Sequence, residues 1–339
     1  MIPSSVRLRA TAPAARLLHL SIRVRLTRAD AALLGTMLLW GLNISAAKVV
    51  VRAVSPAAFG LLRYTIATLV LGALLRRREG SVGVPRRDLA QLAVVGAVGL
   101  GVYQLFFLAG IGQVDASLAA LLLAVSPLLT AALAAAWAHE ALQGRSAAVL
   151  GLSFAGVALV VLGAGPARGA SWWGAVLIVG AALCIALSAV WSKPVLRTHS
   201  SLRVTAWMCV FGAAVFLPIG APALLATPLA AYTPLVVGAM LSVVVGGTIL
   251  GNLAWNYAVQ QIGATRTALY TYLQPVVGVV VAVVLLGERP TPAQLAGGTV
   301  IVLGLLLYPR PRPANPAPVV SSSPDAIRPA PGIGESSLE

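Results

Sequence analysis

From Asp30 to Tyr308 the chain repeats one pattern: an apolar run of roughly 20 residues, then a short break holding Gly, Pro or charge. A run of that length, coiled as a helix, crosses a hydrocarbon core about 30 Å thick. Ten such runs are expected, over 31–51, 56–75, 89–109, 116–137, 146–163, 172–192, 203–220, 234–256, 265–286 and 293–308. The breaks are stretches such as "RRREGSVGVPRRD" (Arg76 to Asp88), "GAGPARGAS" (Gly163 to Ser171) and "GERPTP" (Gly287 to Pro292). None is long enough to form a water-soluble domain, so the chain reads as one membrane domain. Only 10% of its residues are charged, against about 25% in an ordinary globular domain. Abundant Ala, Gly and Val suit close helix packing in lipid better than the alternating strands of a barrel. The expected fold class is an all-α membrane protein with ten transmembrane helices.

The basic residues orient these helices, because cytoplasmic loops hold the excess of Lys and Arg. With both termini cytoplasmic, nineteen of the 24 basic residues fall on the cytoplasmic side and three, Arg52, Arg168 and Arg289, on the other. The remaining two, Lys48 and Arg63, lie within spans. The net charge of +15 is therefore topogenic and faces the lipid bilayer; no nucleic-acid partner is expected. Residues 1–29 form a basic cytoplasmic tail without the continuous apolar core of a cleaved signal peptide. Its lack of acids before Asp30 also fits a mitochondrial transit peptide, but a tail at the bacterial plasma membrane accounts for it more simply. Residues 309–339, rich in Pro and Ser, are expected to be a disordered tail. Cys184 and Cys209 fall inside spans and offer neither a disulfide framework nor metal spacing, and no cofactor is implied.

The two halves repeat each other. "ASLAALLLAVSPLLTAALAAAWAHE" (Ala116 to Glu140) and "ATRTALYTYLQPVVGVVVAVVLLGE" (Ala264 to Glu288) align without a gap at an offset of 148, which places Pro127 on Pro275 and Glu140 on Glu288. The same offset sets Gln104 against Asn252, and an offset of 145 sets Lys48 against Lys193. Each half, 30–163 and 170–308, thus holds five spans. Five is odd, so the second copy enters the membrane from the opposite side. Two inverted five-helix repeats are how many secondary transporters are built.

Taken in order, "WGLNISAAK" (Trp40 to Lys48), Arg63, Ser126-Pro127, Gln274-Pro275 and the acids that end spans four and nine resemble the drug/metabolite transporter superfamily, EamA type. The resemblance covers about residues 30 to 308 in two copies. It implies a carrier of small metabolites, amino acids or drugs, often outward, around a central cavity lined by spans one, three, four, six, eight and nine.

Polar side chains at membrane depth are costly and face a cavity or another helix. The candidates for substrate contact are Trp40 and Asn43 on span one, Tyr103 and Gln104 on span three, and Ser188 and Trp191 on span six. Asn252, Trp255 and Asn256 on span eight and Tyr270 and Gln274 on span nine complete the set. Arg266, Tyr270 and Gln274, spaced i, i+4, i+8, share one helical face. Each of these groups serves either a substrate or an interhelical hydrogen bond. Lys48, Lys193 and Arg266 are candidates for gating or the pathway, although a lysine near a helix end also snorkels to the interface. Arg63, two turns into span two, is expected to pair with a helix-end carbonyl or a neighbouring helix. Pro127, Pro275, Glu140 and Glu288 read as structural, each proline freeing a carbonyl one turn earlier.

The expected function is a secondary transporter, an exporter of a small metabolite, amino acid or amphipathic compound by alternating access. Its partners are a small-molecule substrate and the bilayer; the oligomeric state stays open, with a monomer sufficient. The alternative is a membrane scaffold or lipid-scrambling protein without a small-molecule site. An enzyme is not expected: no histidine is mid-span and no Ser/His pair lies at membrane depth. The absence of a phosphate-binding Gly loop argues against an ATP-driven pump.

Overall fold

A computed structural model describes residues 26–308 apart from 112, 115, 138–143, 164–170 and 287–288. Every regular element among the described residues is helical. The expected tails largely lie outside these residues, as do Glu140 and Glu288; the side chain of Lys48 is also undescribed.

The helices begin and end where local chemistry stops the backbone ladder. Helix α1 (Arg28–Ala53) starts in a capping box, in which the Thr27 side chain accepts from the Asp30 amide and the Asp30 carboxylate accepts from the Thr27 amide. Ser55 caps α2 (Pro56–Glu79), with Pro56 in the first turn where no amide partner is needed. The sequence places the end of this span at 75, but the helix continues to Glu79. Arg76, Arg77 and Arg78 favour its negative dipole end, and Gly80, at φ 71°, closes it in a left-handed conformation.

There follow α3 (Arg86–Gly96), a π-helical segment (Ala97–Val102) and α4 (Tyr103–Ile111). Next are α5 (Ala116–Leu123), α6 (Ser126–Trp137), α7 (Gly144–Leu162), α8 (Trp172–Thr198) and α9 (Ser201–Leu225). Beyond them come α10 (Pro234–Ser242), a second π-helical segment (Val243–Leu250) and α11 (Gly251–Ile262). Gly263, at φ 82°, makes the turn into α12 (Ala264–Leu269), which continues through a 3-10 turn (Tyr270–Tyr272) into α13 (Leu273–Leu286); α14 (Pro292–Leu307) is last.

Among the described residues seven helical stretches are long and apolar enough to cross a membrane: Pro56–Glu79, Arg86–Gly110, Ala119–Trp137, Gly144–Leu162, Trp172–Thr198, Ser201–Leu225 and Pro234–Ile262. Helix α14 is a shorter apolar helix. Both prolines singled out in the sequence follow a local irregularity, the turn at residues 124–125 before Pro127 and the 3-10 turn before Pro275. A proline cannot donate to the carbonyl four residues back, which accounts for a break at each place.

Packing relates distant parts of the chain. Helix α1 packs on α10, the second π segment and α11, much as α8 packs on α3, the first π segment and α4. Helix α2 packs on α9 through the rings of Tyr64 and Phe216, 5.8 Å apart. Helices α7 and α14 meet at Gly156 and Gly297, where a Cβ on Gly156 would lie 2.9 Å from the Gly297 carbonyl oxygen. Such backbone proximity is the usual means of joining helices in lipid, where apolar area alone gives no drive for association.

Candidate functional site

The second π segment organises the polar interior. A π turn widens the helix and leaves backbone groups out of line with their usual partners. Here side chains satisfy them: Trp40 Nε1 donates to the Gly247 carbonyl at 2.9 Å, and Asn252 Nδ2 donates to the Thr248 carbonyl at 2.8 Å. Thr248 Oγ1, fully buried, donates to the Val243 carbonyl at 3.3 Å. The same oxygen accepts from Arg63 Nε at 2.5 Å.

Arg63 stands seven residues into α2, about 10 Å along its axis. Its Nη1 reaches Gln104 Oε1 at 3.5 Å, and its guanidinium carbon lies 5.2 Å from the centre of the Tyr64 ring. Tyr64 is itself fixed by donating to the Leu100 carbonyl at 3.1 Å, within the first π segment. The partners of Arg63 among the described residues, Thr248, Gln104 and Tyr64, are thus neutral. A charged arginine at the middle of a membrane helix costs roughly 2.5–3.5 kcal/mol on insertion scales. Arg63, Trp40, Tyr103, Gln104 and Asn252 are all half-buried.

Aromatic rings border this cluster. Trp40 and Trp255 have centroids 5.7 Å apart, and Tyr103 stacks on Phe107 at 6.0 Å. Asn43 lies over Gly246 and Gly247, with its Oδ1 3.4 Å from the donor Ser242 Oγ. Asn43 Nδ2 is buried without a hydrogen-bond partner among the described residues.

A second polar assembly closes one end of the bundle. Asp30 is 1% exposed, and its two oxygens take four donors. Oδ1 accepts from Arg266 Nη2 at 2.8 Å and from the Tyr270 hydroxyl at 2.6 Å. Oδ2 accepts from the Thr27 amide at 2.9 Å and the Thr27 hydroxyl at 2.8 Å. At the same end Gln260 donates to the Leu196 carbonyl at 2.5 Å, and Gln91 to the Trp191 carbonyl at 2.8 Å. Trp191 stacks on Trp137, His199 meets Asp88 at 2.8 Å, and Arg203 pairs with Glu79 at 2.9 Å. Helix α6 packs on α12 here, whereas their continuations α5 and α13 form no comparable interface among the described residues.

The sequence candidates thus divide into separate groups. Trp40, Asn43, Tyr103, Gln104, Asn252 and Trp255 gather around the two π segments. Arg266 and Tyr270 belong to the Asp30 assembly, and Trp191 to the same end. Gln274 shares neither: the 3-10 turn overwinds the helix between Tyr270 and Gln274, which offsets the i, i+4, i+8 face. Its side chain is half-buried and has no hydrogen-bond partner among the described residues. Asn256, 1% exposed, donates to Thr205 Oγ1 at 2.9 Å and so ties α11 to α9. Ser188 lies 3.5 Å from the Val95 carbonyl that it donates to. Lys193 lines a cleft of about 220 Å³ with Leu196, Arg197, Val259 and Gln260. Pro127 is buried and Pro275 half-buried. Sequence reasoning missed Asp30 as a functional residue because it treated that position as the edge of a span. Thr27 and Asp30 in capping-box spacing were the available signal.

Comparison with known proteins adds the following. The profile of the EamA-like transporter family matches the chain twice, over residues 27–162 and 172–308. A protein of Streptantibioticus cattleyicolor named "Probable terminal-alkyne amino-acid exporter" is 30% identical over 294 residues, covering 85% of this chain and 95% of that protein. A Salmonella typhimurium protein named "Probable amino-acid metabolite efflux pump" is 27% identical over 280 residues, covering 80% and 91%. One solved crystal structure shares the fold with a TM-score of 0.70 at 21% identity, covering 82% of this chain and 95% of that one.

Proposed function

The chain belongs to the EamA-like transporter family, and on that premise we propose that it is a secondary carrier exporting a small metabolite, amino acid or amphipathic compound by alternating access. It is a multi-pass membrane transport protein. In this reading ten helices form two inverted five-helix repeats, 30–163 and 170–308, and both termini are cytoplasmic at the plasma membrane. The two matched segments and the recurrence of a π segment at the 148-residue offset support the repeat. The nineteen-to-three division of basic residues supports the orientation.

The observation that carries alternating access is the contrast between the ends. Helices α6 and α12 are packed together beside the Asp30–Arg266 pair, while α5 and α13 make no comparable interface among the described residues. A half-buried aromatic and amide cluster lies between, which fits a pocket that orients a solute by a few hydrogen bonds within apolar walls. The relatives named as exporters of amino acids or their metabolites favour solutes of that kind.

The function is tested by comparing the metabolites inside and outside cells with and without the protein, and then by efflux from liposomes containing the purified carrier. Export of a defined small solute is expected; identical metabolite profiles together with inert liposomes would refute it. Orientation is tested with Ser81→Cys in a background where Cys184 and Cys209 are replaced by Ala. A membrane-impermeant thiol reagent should label it from the cytoplasmic side.

A further inference from the structure

Arg63 is a cation in the interior whose charge the described protein does not answer. Three acids are described, and each is engaged elsewhere: Asp30 with Arg266 and Tyr270, Glu79 with Arg203, and Asp88 with His199 and Arg87. What Arg63 has instead are neutral groups that hold it in place. Thr248 takes the Nε proton, Gln104 faces Nη1, and the Tyr64 ring lies alongside. A guanidinium carries five N–H donors. One is committed to Thr248 and one to the long Gln104 contact, which leaves three, including both on Nη2. Both Nη2 protons and one on Nη1 have no acceptor among the described residues, and donors of this kind bind carboxylates strongly.

We propose that Arg63 is the anchor for the carboxylate of the transported solute, and that the solute is a monocarboxylate with an apolar or aromatic remainder and no charge besides the carboxylate. The proposal rests on the carrier reading above. Three observations select this chemistry. A single negative charge neutralises Arg63, whereas a phosphate dianion would leave a net charge in a low-dielectric interior, with no second cation beside Arg63 among the described residues. The remainder of the solute meets aromatic walls, since Trp40 bonds Gly247, next in sequence to Thr248, and Tyr103 adjoins Gln104. Asn43 Nδ2, buried and unpartnered against the same π segment, is a further donor close to this position.

The sequence also places the cation on one repeat alone. At the offsets that relate the two halves, 145 and 148, Arg63 falls on Met208 or Phe211, both uncharged. Because one repeat has a guanidinium where the other has an uncharged side chain, a solute held there binds by one charged end, in one orientation.

The test uses the full-length protein in detergent, with tryptophan fluorescence following titrations of hexanoate and 3-phenylpropionate. Hexanamide and 3-phenylpropanamide serve as matched neutral probes without the carboxylate. Saturable binding of the two carboxylates and none of the amides is expected for the natural sequence. Arg63→Gln should weaken carboxylate binding roughly 10- to 100-fold, the range of a lost charged hydrogen bond. Arg63→Lys should retain more affinity than Arg63→Gln, and the melting temperatures of both variants should establish that they are folded. Amides that bind as well as the acids, or an Arg63→Gln variant with undiminished affinity, would overturn the assignment. So would failure of both carboxylates to bind the unaltered protein. In that case solute export by cells, measured separately, would tell whether the carrier reading stands without the carboxylate anchor.

Discussion

Two arginines inside this molecule meet opposite fates. Arg266 reaches a carboxylate that is almost wholly buried, and that carboxylate is completed by Tyr270 and by both donors of Thr27. Arg63 reaches a hydroxyl, an amide oxygen and an aromatic face. The first cation is spent within the fold, joining α12 to α1 across 236 residues of sequence. The second is held in position with its charge unanswered. One arrangement suits a contact that keeps an end of the bundle shut; the other suits a site completed by something that enters it.

That contrast can be broken by substitution. The largest effect is expected for Arg266→Leu, which strands the Asp30 carboxylate in the interior and should cost about 3–5 kcal/mol. Denaturant or thermal unfolding in detergent would read it as a loss of stability, and addition of Asp30→Asn should restore part of that loss. An Arg266→Leu protein as stable as the parent would show that the pair does not hold the helices. Asn256→Leu comes next. It removes the bond to Thr205 and should cost about 1 kcal/mol, with transport per folded molecule retained. A selective loss of transport at full stability would instead move Asn256 into the pathway. Arg63→Leu should change stability by less than about 1 kcal/mol, because the lost hydrogen bond to the Thr248 hydroxyl is offset by removing an uncompensated charge. A destabilisation as large as that of Arg266→Leu would erase the distinction between the two cations. Gln274→Leu should scarcely alter stability, since no partner among the described residues is lost, and should lower the transport rate. Unchanged transport would remove Gln274 from the site.

Much of this architecture was legible in the order of residues. Runs of apolar side chains located the seven described helical stretches that are long and apolar enough to cross a membrane, and the alignment of Pro127 with Pro275 marked two places where the helical ladder is interrupted. Gln104 and Asn252, paired by the repeat, both lie in the cluster around the π segments. Other features depend on contacts that no local pattern encodes. The π segments occur in "AVGLGV" and "VVVGGTIL", whose glycines and aliphatic residues are equally compatible with regular helix. Asp30 looked like the edge of a span because its partners Arg266 and Tyr270 come from the far end of the chain. The helical face expected to join Arg266, Tyr270 and Gln274 assumed an unbroken 3.6-residue period, and the 3-10 turn interrupts it. Asn256 stands with Asn252 on span eight, yet its amide reaches α9. Its assignment therefore depended on a neighbouring helix.

The account turns on whether the end secured by Asp30 and Arg266 opens. Ala268, two residues beyond Arg266 in α12, is 1% exposed. Its replacement by Cys, in a protein whose own cysteines have been changed to Ala, gives a thiol whose reaction with an impermeant reagent from the cytoplasmic side can be timed. Alternating access predicts slow labelling with the ion pair intact and markedly faster labelling when Asp30→Asn and Arg266→Gln are introduced together. Equal rates in the two proteins would contradict the assignment of this contact as the cytoplasmic gate.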